Sequence, residues 1–200
     1  MGVVMAASVV CISRAECAGG EEVGRLVAAG LGFRYVDEEI ISKAAEKEQM
    51  WPEALALAED RKAGRRLEVY DSGGEQTKVL RALIRDAICE TARHGQVVIV
   101  AHAAAFALDD GDGILRVLVT ASPETRTRRF AEAEGVENRE AASAIKESDK
   151  GRAVYLKRFY GVSRELPTHY DLLVNTDRLA AQQAADIIIH AAANSAGPGS

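Results

Sequence analysis

A single α/β domain, with a five-stranded parallel sheet between two layers of helices, is the fold class that the sequence predicts. Three observations lead there: short, largely apolar runs, long amphipathic stretches that separate them, and helix start and stop signals at the ends of those stretches. The runs are Val3 to Ile12, Val97 to Ala101, Leu115 to Thr120 and Leu172 to Asn175, with a shorter fifth from Phe33 to Val36. Because they are continuous rather than alternating, they suit strands buried on both faces, and a parallel sheet sandwiched by helices is the economical reading.

The separating stretches carry helical spacing. Glu21 to Leu31 places Val23, Leu26 and Val27 on one face and stops at Gly32. Thr77 to His94 repeats Leu80, Leu83, Ile84 and Ile88 before Gly95. Ser122-Pro123-Glu124 combines an N-cap residue, a proline at the first helical position and an acid in the first turn, and that helix is expected to end near Gly135. A last helix from about Leu179 to Ala193 has Ile187, Ile188 and Ile189 to dock. Two strongly charged stretches, Val136 to Gly161 and Ala45 to Gly74 with its Trp51-Pro52, do not read as sheet cover. Insertions at strand ends in such folds are where mobile lids and substrate-recognition elements sit.

At 200 residues the chain suits one core, and residues 1–194 are expected to form one domain, with a disordered tail at 195–200. Hydrophobic residues make up 48% and aromatics only 5%, so the core must rest on Ala, Val, Leu and Ile. A net charge of −5 argues against a nucleic-acid or anionic-membrane footprint. Arg61, Lys62, Arg65 and Arg66 stand beside Glu59, Asp60 and Glu68 and read as a solvated mixed-charge segment. Cys11, Cys17 and Cys89 are an odd number without a C-x-x-C pair, which fits reduced thiols and a cytoplasmic location. The apolar start lacks a basic leader and is too short to span a bilayer. His94, His169 and His190 lack metal-ligand spacing, so no protein-held metal is expected. A homo-oligomer is compatible with the sequence and is not specified by it.

The segment Ser13 to Gly20 joins a buried strand to a helix, a place where helix N-terminal amides can cradle phosphate. A strict phosphate loop reads G-x-x-x-x-G-K-[ST]; here both the lysine and the hydroxyl are missing. Taken alone, Gly19-Gly20 is a tight turn.

Wider context adds to this. Ile12-Ser13-Arg14, Gly19-Gly20-Glu21-Glu22-Val23, then Leu31-Gly32-Phe33-Arg34-Tyr35-Val36-Asp37 with Ile40-Ile41 together resemble the opening of the cytidylate kinase-like family. Ala101-His102-Ala103 stands where that family has G-R-G. Leu118 to Arg126 resembles its fourth strand and following helix, Asp149-Lys150-Gly151-Arg152-Ala153 with Tyr155 its lid, and Tyr170 to Thr176 its last strand. The resemblance runs from about Val9 to Ile189 and implies a P-loop nucleoside monophosphate kinase fold with a lid at about 136–166.

By that resemblance, Ser13, Arg14, Gly19 and Gly20 would surround donor phosphates, and Lys150 and Arg152 would be the catalytic lid cations. Lys157 and Arg158 would lie further along the same helix, Arg126 would lie near adenine or phosphates, and Asp37 and His102 would meet the acceptor. ATP and Mg2+ would be the cofactors, and CMP or another nucleoside monophosphate the acceptor. On spacing alone the four lid cations also describe a charged solvent face, Asp37 an N-cap, Arg126 an i, i+4 partner and His102 a polar strand end.

Departures from the family pattern shape the functional expectation. Cys17 and Ala18 replace Gly-Ser, Glu21 and Glu22 place carboxylates where a triphosphate would lie, and His102, followed by Ala103 and Ala104, replaces an arginine. Phosphoryl transfer that is weak or lost is therefore expected. The alternative is a catalytically inactive nucleotide- or anion-binding regulatory or assembly protein of the same fold.

Overall fold

The computed structural model describes residues 7–37, 85–101, 104–108 and 113–195. Val10 and Ile12 point to one side of strand β1 (Val9–Arg14), while Val9 and Cys11 point to the other, and all four are buried. This is why the run is apolar throughout: β1 is the middle strand of the sheet and is covered on both faces. It pairs in parallel with β3 (Val97–Val100) on one side and with β4 (Ile114–Thr120) on the other. β2 (Arg34–Val36) extends the sheet beyond β3, and β5 (Leu172–Asn175) extends it beyond β4, each again parallel. The order is β2-β3-β1-β4-β5: the expected five-stranded parallel sheet is found, and its third and fourth strands flank the first.

Helices cover the two faces. Val23 and Val27 of α1 (Gly20–Leu31) and Ala184, Ala185 and Ile188 of α6 (Ala181–Asn194) pack against Val10, Ile12, Val98, Val100, Val117 and Val119. On the opposite face, Ile88 of α2 (residues 85–93) and Ala107 of the short α3 (Ala104–Ala107) pack against Val9, Cys11, Val97 and Ile99. Gly24 in α1 permits this closeness, since an added Cβ would sit 2.4 Å from Val100 Cγ2. Cover on this second face thins towards the β5 edge, where Leu173 remains 43% exposed.

Two further helices connect β4 to β5. α4 (Pro123–Glu134) starts as its sequence predicts: the Ser122 hydroxyl accepts the Thr125 amide at 3.2 Å, and Gly135 closes the helix. The charged stretch beyond it forms one helix, α5 (Asn138–Tyr160), anchored by buried Ala141, Ile145 and Leu156. A 3-10 turn (Pro167–His169) leads into β5.

Strand β1 begins at Val9, six residues later than the apolar run. Before it, the Ala7 amide bonds to Ala192 O and the Ser8 amide to Gly113 O, so these two amides serve α6 and a loop, while Ser8 O accepts the Val97 amide at 3.3 Å where β3 begins. The stretch from Ala45 to Gly74, the Arg61 cluster, the start of the helix expected from Thr77, His102 and the end of the tail lie outside the described residues. Among the described residues, no helix is long and apolar enough to cross a membrane.

Candidate functional site

At the carboxyl edge of the sheet the chain leaves β1, turns and enters α1. The Ala15 amide still reaches Val119 O at 3.0 Å, and the Ala18 amide folds back to Ala15 O at 3.1 Å. Gly19 then takes φ 81°, a left-handed conformation that glycine adopts without steric cost, and serves as N-cap with no side-chain capping bond. By helix geometry the first-turn amides of α1 have no acceptor within the helix, so an anion at this turn would meet unpaired donors and the positive end of the helix dipole. Cys17 also sits at positive φ, 57°, although it has a side chain. The loop thus keeps a left-handed turn at Cys17, where the family pattern has glycine, at a cost of about 1–3 kcal/mol. Gly20 leaves room for Arg14, whose Cβ would lie 2.6 Å from an added Cβ.

The loop is tied from beneath by residues of α4 and the end of β5. Thr176 Oγ1 donates to Ala18 O at 2.8 Å; Arg129 Nη1 donates to Thr176 Oγ1 at 3.0 Å and to Cys17 O at 3.3 Å, and its Nη2 to Thr176 O at 2.8 Å. With the carbonyls of Cys17 and Ala18 drawn to that side, planarity of the peptide turns the Gly19 amide the other way.

Three arginines gather round the loop, and each holds a carboxylate of this chain. Arg14 Nε lies 2.5 Å from Glu21 Oε1, and its Nη1 3.4 Å from Glu16 Oε2. Arg126, with its side chain 6% exposed, forks onto Asp149 through two bonds of 2.7 Å and donates from Nε to Ala121 O. Arg152, 9% exposed, forks onto Glu165 at 3.0 and 2.6 Å and donates from Nη1 to Arg14 O at 3.1 Å. The Tyr170 hydroxyl also donates to Glu165. Hydrogen bonds to Asp149 raise the Arg126 pKa. Burial works most strongly against the Arg152 and Glu165 charges, but their mutual hydrogen bonds, their charge attraction and the contacts of each with Tyr170 together offset it, holding the guanidinium above and the carboxyl below the usual range. Burial, then the Glu165 contact, pushes the Tyr170 phenol up. Burial and the charges of Glu16 and Glu21 push the Cys17 thiol up to about 11.

Of the residues singled out from the sequence, Ser13, Arg14, Gly19, Gly20, Arg126 and Arg152 come together at this edge. Ser13 is fully buried, near the Tyr170 phenol. Lys150 and Lys157 are exposed on α5; Arg158 is half-buried, with a buried Nη2 that has no hydrogen-bond partner. Asp37 follows β2 and lies beside Tyr35, whose ring also carries the Arg25 guanidinium at 5.2 Å. Arg126 is not an i, i+4 surface partner: its carboxylate comes from the next helix. Sequence reasoning missed Arg129, Thr176 and Glu165. Arg129 lies three residues beyond Arg126, on the same helix face, which is a readable signal; nothing in the local sequence marks Glu165.

A parallel sheet in this order, with a loop and a helix N-terminus at the carboxyl end of its middle strand, defines the P-loop kinase fold. The chain belongs to the cytidylate kinase-like family, whose model matches residues 9–178. It is 29% identical over 140 residues to a cytidylate kinase of Methanopyrus kandleri, covering 66% of this chain and 72% of that protein. It is 26% identical over 182 residues to a cytidylate kinase of Sulfurisphaera tokodaii, covering 90% and 92%. Among solved structures, shikimate kinase from Bacteroides thetaiotaomicron matches with a TM-score of 0.55 at 19% identity, covering 91% of this chain and 96% of that one, a likeness of fold. Family and fold together support a nucleotide kinase-like function.

Proposed function

We propose that this chain binds nucleotide phosphates at the Ser13 to Gly20 loop and transfers a phosphoryl group slowly or not at all. A nucleoside monophosphate, CMP by analogy with the relatives, is the acceptor of any residual activity, with ATP as donor. The observation that carries this reading is the engagement of Arg14, Arg126 and Arg152 by Glu21, Asp149 and Glu165. Phosphoryl transfer depends on cations preorganised around the moving group, and these guanidiniums already have anionic partners.

The phosphates of ATP fit the uncapped amides of α1 and the Gly19 turn. The loop lacks the hydroxyl through which a strict phosphate loop holds magnesium. Between Ala15 and Val23 there is neither a lysine nor a hydroxyl side chain, and no group of three or more potential metal ligands occurs among the described residues. One observation favours a second reading, an active kinase with a lid near 136–166: the Asp149-Lys150-Gly151-Arg152 motif is present, and Lys150 is exposed and available to close on a ligand.

Thermal unfolding with and without ATP, ADP or CMP tests the proposed binding. A ligand at a hundred times its Kd adds about 2.7 kcal/mol, or roughly 5–11 °C for a chain of this length. A shift of that size with ATP or ADP, lost in Gly19→Val, is expected. No shift with any nucleotide would overturn the reading.

A further inference from the structure

We propose that Glu165 is a resident competitor for ligand phosphate on Arg152, so that phosphate binding at the loop proceeds by exchange of one anion for the other. This rests on the reading of Ser13 to Gly20 as a phosphate site and adds the regulation of that site.

Arg152 stands where a ligand cation belongs: its Nη1 reaches the carbonyl of Arg14, the last residue of β1 before the loop. Two more of its donors make a forked pair of carboxylate contacts, from Nε to Glu165 Oε2 and from Nη2 to Glu165 Oε1, and Nη2 also reaches the Tyr170 hydroxyl at 3.4 Å. That fork is the geometry in which a guanidinium also grips two oxygens of a phosphate. A phosphate group carries up to twice the charge of a carboxylate and an additional acceptor oxygen, so it competes well for the same donors.

The residue holding the position is placed to leave. Glu165 lies between α5 and the 3-10 turn, and Ser163, Arg164, Leu166, Pro167 and Thr168 around it are all exposed. Few packed groups oppose a local opening there, and the Glu165 side chain is already 23% exposed. Arg152 is held far more firmly, in the body of α5 between buried Gly151 and buried Leu156. Withdrawal of Glu165 releases the two Arg152 contacts that it holds and the acceptor of the Tyr170 hydroxyl together, and that phenol lies near Ser13 of β1.

Calorimetric titration with pyrophosphate and with ADP, on the whole chain at neutral pH and low salt, tests the exchange. Glu165→Gln and Glu165→Ala should each bind pyrophosphate at least about tenfold more tightly than the unmodified chain. The gain should vanish when Arg152→Met is added. Binding by the unmodified chain with no gain in either variant overturns this inference alone; no binding by any form overturns it together with the phosphate-site reading. Should the variants fail to fold, amide hydrogen exchange on the unmodified chain decides. Saturating pyrophosphate should speed exchange at residues 162–168, and unchanged or slower exchange there overturns the proposal.

Discussion

Removing Asp149 should destabilise the fold more than removing its partner Arg126, although the two share the same pair of hydrogen bonds. The Arg126 side chain is 6% exposed and that of Asp149 44% exposed. Asp149→Ala therefore strands a charge in a largely dry site, with only Ala121 O left from the bonds it now makes. Arg126→Met leaves a carboxylate that can turn to water. Breaking a fully buried pair costs about 3–5 kcal/mol, and the exposure of Asp149 lowers that, to about 2 kcal/mol for Asp149→Ala and about 1 kcal/mol for Arg126→Met. For a chain of this length, 2 kcal/mol lowers Tm by about 4–8 °C. Urea unfolding of both single variants and the double variant gives the coupling energy, expected at about 1–2 kcal/mol. Coupling below about 0.5 kcal/mol, within the range of independent sites, or a larger loss in Arg126→Met, would refute the claim that Asp149 holds Arg126 in place.

Thr176→Val removes the bond to Ala18 O and should cost about 1–2 kcal/mol while speeding amide exchange at residues 17–20; unchanged exchange would show that Thr176 does not position the loop. Gly24→Ala should destabilise by about 1–3 kcal/mol despite the better helix propensity of alanine, because its Cβ would meet Val100 and Tyr35; a denaturation midpoint at or above that of the unmodified chain would contradict the packing. Cys17, with its pKa raised from 9.0 to about 11, should carry about a hundredfold less thiolate at pH 8 than an unperturbed thiol. Its alkylation should be correspondingly slow, and its rate should still be climbing above pH 10. A plateau near pH 9 would contradict the raised value.

The sheet was legible because its signal is local. An apolar run such as Val97 to Val100 is buried on both faces, and Ser122-Pro123 together with Gly135 bounded α4 to within a residue. The carboxylate partners were not legible, because they are made by tertiary crossings. Helical spacing finds Arg128 with Glu132, an exposed pair 3.9 Å apart, but the partner of Arg126 lies 23 residues along the chain and depends on how α4 meets α5. Cys17 shows a different limit. Replacing glycine by cysteine removes backbone freedom, yet the left-handed turn persists, because Arg129 and Thr176 hold the carbonyls of Cys17 and Ala18 from outside the loop. Local chemistry signals strain at that position, and only the fold supplies the bonds that sustain it.

Steady-state turnover with ATP, magnesium and each common nucleoside monophosphate tests the central claim most directly. Loss of one preorganised donor commonly slows an enzyme about a hundredfold or more. Here the loop has no lysine or hydroxyl between Ala15 and Val23, and three arginines are held by carboxylates. The account therefore predicts turnover below about 0.01 per second on every acceptor, CMP included, by a chain that still binds ATP or ADP. Turnover of about one per second or faster on any of them, within the ordinary range of enzymes, would contradict it.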